Sequence, residues 1–304
     1  MTALPPAPFG RLLTAMVTPM SSDGKIDLEA AARLAVHLAD HGHDGVVISG
    51  TTGEASTTSD DEKFALLQAV VEAAGDRLKV VAGAGTNDTA HGRELGHLAK
   101  AAKADGVLAT TPYYSKPTQA GVIAHVEAIA DAAGLPVMLY DVPSRTGLAL
   151  ETATIAELAA HPRIVAIKDA KGQLAATAEV RRRVPGLAVY SGSDELNLPL
   201  LSLGAVGMVS VLGHIAGPQL RQMIDAFGAG DVATAWAIHN NLLPAALAIF
   251  AFASPAPIKI ALADRGLCDP AVRLPLLPAT PAQHAALRAE LATSGLEVSF
   301  ERAP

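Results

Sequence analysis

The chain has 304 residues, with 23 Lys or Arg against 30 Asp or Glu and a formal net charge of −7. That length suits two ordinary domains or one large barrel with additions, and a composition half hydrophobic and only 17% charged excludes a disordered chain. The acidic balance and lack of a basic run leave no electrostatic footprint for nucleic acid, and the single cysteine, Cys268, excludes an internal disulfide framework and a multi-cysteine zinc site.

The opening MTALPPAPFGRLL lacks the charged start and long apolar run of a signal peptide. With one cysteine, this points to a reducing, cytoplasmic location. Eight short apolar runs follow, at 13–19, 45–50, 78–85, 106–112, 136–143, 163–169, 187–192 and 207–213. Each is nearly continuous rather than alternating, as expected of parallel strands covered on both faces. Between them lie helix-like stretches at 28–41, 61–74, 89–103 and 118–133. Ser59 with Glu62, and Thr118 ahead of its apolar run, supply capping chemistry. Eight strands alternating with helices predict an α/β fold, a (β/α)₈ TIM barrel. A doubly wound sheet would carry a Gly-rich loop after its first strand, and MVTPMSSDG is no such loop.

The helix after the last strand ends near Phe227, and further helices are predicted at 231–247, 256–263 and 281–292. The expected organisation is a barrel carrying the active site over residues 1–228 and a C-terminal helical extension packed on it over 229–304. The apolar stretch 242–253 contains Pro244. It falls well short of the roughly 20 residues a membrane span needs and reads as a buried helix.

In this fold reacting groups gather at the C-terminal ends of the strands and in the loops beyond them. Those ends carry Thr51, Thr52 and Glu54, then Thr111 with Tyr113 and Tyr114, then Tyr140, Asp141 and Arg145, then Lys168, then Tyr190 and Gly192. All four tyrosines of the chain fall there, which points to a site. Lys168 follows Ile164, Val165, Ala166 and Ile167, so its amine is expected inside the barrel mouth. Desolvation disfavours the charged form of such an amine and favours a nucleophile able to form a Schiff base with a carbonyl. The competing reading is a structural lysine paired with Asp169 or Glu54. Most other lysines read as solvated. Tyr140, Thr51 and Tyr114 offer hydroxyls that both donate and accept, as a proton relay requires. Thr51 and Thr52 can receive one carboxylate, and Arg145 presents a planar fork for another. His41 and His43 fall at a predicted helix C-terminus, where an imidazole suits the macrodipole, and His214, at a strand end, has no second histidine or carboxylate at metal-ligand spacing.

These residues sit in long signatures. The stretch Val46 to Glu62, with Gly50-Thr51-Thr52-Gly53-Glu54, and the stretch from Tyr140-Asp141-Val142-Pro143 to Lys168-Asp169 resemble the pyruvate-dependent class I aldolases related to dihydrodipicolinate synthase and N-acetylneuraminate lyase. The resemblance runs from Val17-Thr18-Pro19 to Arg273-Leu274-Pro275. It implies Lys168 as Schiff-base lysine, Tyr140 and Thr51 as relay members, Thr52 as ligand of the pyruvate carboxylate, and Val209 and Gly192 beside the pyruvate. It also implies that Tyr114 completes the relay of a neighbouring subunit, making a homo-oligomer, commonly a dimer of dimers. Pro143-Ser144-Arg145-Thr146-Gly147 resembles the synthase branch, whose arginine binds the carboxylate of L-aspartate 4-semialdehyde; sialic acid lyases lack it there. The implied chemistry joins pyruvate to that semialdehyde without metal or organic cofactor. A sugar-acid or hydroxy-keto-acid aldolase of the same family would favour hydroxyl ligands over Arg145, and a non-catalytic keto-acid binder has no use for Lys168. Two departures stand out. Asp141 replaces a common Asn. At the positions of the lysine-inhibitor pocket of feedback-regulated members, Asn87 and Tyr113 match but Ala55 replaces a serine, Lys63 a histidine and His91 a glutamate, which predicts weak or absent feedback by lysine.

Overall fold

A computed structural model describes residues 5–296; residues 1–4 and 297–304, the ends of the two predicted segments, lie outside the described residues. All eight apolar runs contribute strands: β1 (Leu12–Ala15), β2 (Gly45–Ile48), β3 (Lys79–Gly83), β4 (Gly106–Thr110), β5 (Val137–Asp141), β6 (Ile164–Asp169), β7 (Ala188–Ser191) and β8 (Gly207–Ser210). They close in chain order into an all-parallel barrel, with β8 paired to β1. Every ladder is shorter than its apolar run. Met16 and Val17 beyond β1, and Val211 and Leu212 beyond β8, are buried yet outside the strands. Hydrophobicity reports burial, while a strand ends where its ladder partners end.

The covering helices are α1 (Leu28–Asp40), α2 (Asp60–Ala74), α3 (Thr89–Ala101), α4 (Gln119–Ala133), α5 (Pro143–Thr146), α6 (Thr152–Leu158), α7 (Leu174–Arg183), α8 (Asn197–Ser202) and α9 (Gly213–Ala229). Both predicted caps form: Ser59 and Glu62 make a reciprocal box at α2, and the Thr118 hydroxyl accepts from Gly121 N at α4. These bonds satisfy amide donors that the first helical turn leaves without partners. Three helices follow, α10 (Val232–Ala248), α11 (Ala256–Ala263) and α12 (Pro281–Thr293), and a division at 228/229 falls one residue before the end of α9. No helix among the described residues is long and apolar enough to cross a membrane.

A buried ion pair bolts the last helices to the barrel mouth. Lys259 of α11 is wholly buried, with Nζ 2.5 Å from Glu54 Oε1 and 2.6 Å from the Ala271 carbonyl. Glu54 Oε2 accepts from Arg273 N at 2.9 Å, while the Arg273 guanidinium reaches Glu62, the Thr57 carbonyl and the Gly24 carbonyl. Removing one partner of a buried pair costs about 3–5 kcal/mol. The pair therefore ties α11 to the loop after β2, the loop that carries Thr51 and Thr52.

Candidate active site

The β5–β6 register sets Tyr140 directly beside Lys168. Both side chains are almost fully buried, and Lys168 Nζ lies 4.4 Å from the centre of the Tyr140 ring. A cavity of about 350 Å³ opens over them, and Thr51, Thr52, Tyr140, Arg145, Lys168 and Gly192 all line it. Six predicted residues, drawn from the ends of four strands, thus meet in one space. Gly192 is required by contact: a Cβ there would lie 2.9 Å from Lys168 Cγ and 3.0 Å from the Asp169 carbonyl.

The acids that could have neutralised Lys168 are engaged elsewhere. Glu54 holds Lys259, and Asp169 accepts from the Thr177 hydroxyl at 2.5 Å and from Lys171 N at 3.0 Å. Lys168 has no ion-pair partner among the described residues. The Tyr140 hydroxyl likewise has no hydrogen-bond partner among them, whereas the Tyr140 backbone carbonyl accepts from the Thr111 hydroxyl at 3.2 Å.

Three sequence expectations need correcting. Tyr190 is not part of the cluster: its hydroxyl accepts from Phe9 N at 3.1 Å and donates to the Gly10 carbonyl at 2.9 Å, in the segment ahead of β1. Burial pushes its phenol well above the ordinary tyrosine range. Lys171 is not solvated. Its side chain is buried, with Nζ 3.0 Å from the fully buried Asp141, which also accepts from Leu150 N. Burial raises the Asp141 carboxyl above the usual carboxylate range, with Lys171 opposing the shift. The Asp at position 141 thus comes with its own cation on the neighbouring strand end. Finally, the end of the 242–253 stretch is not wholly buried, since Leu247 and Phe250 are exposed at the rim of the cavity.

Tyr114 stands apart from the cavity, 89% exposed, with a backbone φ of +72°. Val209 is buried in β8; the neighbouring Val211 lines the cavity. Sequence reasoning passed over Val211 and Glu195. The buried Asp194 carboxylate places the first of these, accepting from Val211 N at 2.8 Å, from Leu212 N at 2.9 Å and from the Ser210 hydroxyl. His41 and His43 sit at the C-terminal end of α1, bonded to the His37 and Leu38 carbonyls, while His214 accepts from Val17 N and burial pulls it down to about 3.

A second cavity of about 520 Å³ adjoins the first, sharing Thr51, Val142 and Arg145 with it, and is lined by Ala55, Lys63, Asn87, His91 and Tyr113. Asp60 stands among them, 2.9 Å from His91 Nε2 and 3.5 Å from Lys63 Nζ. Burial works against ionisation of Asp60, but His91 and Lys63 together hold its carboxyl below the ordinary value. Burial lowers Lys63 from the usual lysine value despite Asp60.

The sequence matches the dihydrodipicolinate synthetase family over residues 8–294. It is 54% identical over 297 residues to 4-hydroxy-tetrahydrodipicolinate synthase 2 of Streptomyces coelicolor, covering 98% of this chain and 99% of that one. Among solved structures it is similar to the lysine-bound enzyme of that family from Cyanidioschyzon merolae, with a TM-score of 0.92, 42% identity, and 95% and 99% of the two chains covered. The chloride-inhibited dihydrodipicolinate synthase from Acinetobacter baumannii, complexed with pyruvate, also gives a TM-score of 0.92, at 38% identity, covering 95% of this chain and all of that one.

Proposed function

The chain belongs to the dihydrodipicolinate synthetase family, and on that premise we propose that it condenses pyruvate with L-aspartate 4-semialdehyde to 4-hydroxy-tetrahydrodipicolinate, on the route to diaminopimelate and lysine. The observation that carries the reading is the Lys168 amine, buried against Tyr140 in a cavity that also holds Arg145. Lys168 attacks the pyruvate ketone, water leaves, and the imine loses a methyl proton to become an enamine. The enamine carbon attacks the aldehyde, the Tyr140 hydroxyl moves protons, and the substrate's own amine closes the ring and expels Lys168. The imine is the electron sink, so the scheme calls on no metal or organic cofactor. The Thr52 hydroxyl and the loop amides receive the pyruvate carboxylate, with Val209 and Gly192 alongside, and Thr51 passes protons onward. Steady-state rates with pyruvate and aspartate semialdehyde, beside a panel of sugar-acid aldehydes, test the reading. Preference for a sugar acid would overturn it.

In this reading Tyr114, exposed and held at positive φ, reaches the relay of a second copy, so the working enzyme is a cytoplasmic homo-oligomer, a dimer of dimers. Residues 1–228 supply the chemistry and residues 229–304 brace it.

Arg145→Ala separates the clamp from the amine. Arg145 is exposed at the cavity edge, in the single turn of α5. Losing a charge-assisted fork to a carboxylate costs about 1.5–3 kcal/mol, so KM for the semialdehyde is expected to rise roughly ten- to hundredfold. Adduct formation with pyruvate survives. Unchanged semialdehyde kinetics would hand the cavity to the sugar-acid reading.

L-Lysine is expected to inhibit weakly or not at all. In the second cavity His91 offers no anion, Ala55 no hydroxyl, and Lys63 adds a cation. Asp60 is an anion, but its oxygens already face His91 and Lys63. Losing one charge-assisted bond to the ligand's ammonium lowers affinity by about one to two powers of ten, while Asn87 and Tyr113 still offer polar contacts. Calorimetric titration and initial rates at millimolar lysine decide it, and tight binding with strong inhibition would show Asp60 or Asp88 serving as the acceptor.

A further inference from the structure

We infer that Glu195 binds the α-ammonium of the aldehyde substrate and so selects an amino-acid aldehyde over one without an amine. This rests on the synthase reading of the same cavity. The semialdehyde carries an aldehyde, a carboxylate and an ammonium, and that reading gives partners only to the first two. Among the residues lining the Lys168 cavity, Glu195 is the single carboxylate. The other acids nearby are committed: Glu54 to Lys259 and Arg273 N, Asp141 to Lys171, Asp169 to Thr177, and Asp194 to Ser210 and two backbone amides. The Glu195 carboxylate has no hydrogen-bond or ion-pair partner among the described residues.

Its position fits a substrate anchor. Glu195 lies in the one-turn 3₁₀ helix Asp194–Leu196 after β7, a turn fixed by the buried Asp194 carboxylate. Around the barrel β5, β6 and β7 are neighbours, so the Arg145 turn and the Glu195 turn flank Lys168 from opposite sides. A substrate carbon bearing both a carboxylate and an ammonium can sit between them, with its aldehyde arm directed at the enamine. Glu195 is half-buried, and the apolar Leu247 and Phe250 line the same rim. Both features weaken competition from water for the ammonium.

The test compares the wild-type chain with Glu195→Gln, which keeps the side-chain size and removes the charge, and with Glu195→Asp. KM for aspartate semialdehyde is expected to rise about tenfold in Glu195→Gln and less in Glu195→Asp. KM for pyruvate and the yield of borohydride-trapped adduct stay as in the wild type, which also shows that the variants fold. Succinate semialdehyde keeps the carboxylate and the aldehyde but has no amine, so its inhibition constant should not change. An unchanged KM for aspartate semialdehyde overturns the inference. A parallel weakening of succinate semialdehyde overturns it in favour of cavity shape, and a shift in pyruvate KM overturns it in favour of an effect on Lys168. If the wild type does not turn over aspartate semialdehyde at all, the synthase reading itself fails, and that result is visible before any variant is made.

Discussion

Lys168→Arg will abolish the covalent intermediate and with it the reaction. The wild type, incubated with pyruvate and reduced with borohydride, should carry one adduct, on the peptide containing Lys168, and the variant none. Guanidinium stays protonated above pH 12 and is no nucleophile, so the variant keeps a long polar side chain while losing the chemistry. Removing a covalent nucleophile lowers kcat on the order of 10⁶-fold, about 8 kcal/mol of transition-state stabilisation. Two other buried or half-buried lysines sharpen the test. Lys171 is held by Asp141 and Lys259 by Glu54, and an ammonium locked in an ion pair presents no lone pair to a ketone. Lys168 has no such partner among the described residues and opens on the cavity. An adduct on Lys171, Lys259 or Lys116, or one that survives in Lys168→Arg, would sink the mechanism.

The features that made Lys168 readable from sequence are those the fold enforces. A barrel of parallel strands brings all its C-terminal ends to one mouth, so Thr51, Thr52, Tyr140, Arg145, Lys168 and Gly192, scattered over more than a hundred positions, were bound to converge once eight strands were recognised. The caps at Ser59 and Thr118 were equally legible, because they depend on residues three apart. What stayed hidden depends on side-chain direction and on distant partners. Tyr190 sits near a strand end as Tyr140 does, yet its hydroxyl is taken up by Phe9 and Gly10, 181 and 180 positions away. The pair Lys259 and Glu54 spans 205 positions, and no local pattern marks it. Lys171 was legible in principle: an acid at the end of a wholly apolar strand, Asp141, demands a cation, and the next strand's KDAK offers one. Glu195 lies in a one-turn 3₁₀ helix too short to show periodicity, and only the cavity lining brings it into the space of Lys168. The role proposed for Tyr114 lies in a second copy, so only the family resemblance, and no strand or helix pattern of one chain, could suggest it.

Tyr140→Phe removes one oxygen and leaves everything else that the residue does in place. The ring that packs 4.4 Å from Lys168 Nζ remains, as does the backbone carbonyl bonded by Thr111. The hydroxyl has no partner among the described residues, so its loss leaves no orphaned group, and thermal stability should change by less than about 1 kcal/mol. Catalysis should change far more. Proton transfer by a positioned side chain is worth roughly 10²- to 10⁴-fold, about 2.7–5.5 kcal/mol of barrier, and the reaction asks for several transfers: dehydration to the imine, loss of the methyl proton, and protonation of the aldehyde oxygen. The expected signature is a fall in kcat of that size with pyruvate KM nearly unchanged, and a borohydride-trapped adduct that still forms on Lys168 but accumulates slowly. A fall confined to KM would make the hydroxyl a binding group. A kcat within about threefold of wild type would mean that water or Thr51 carries the protons alone, leaving Tyr140 as the wall against which the lysine packs.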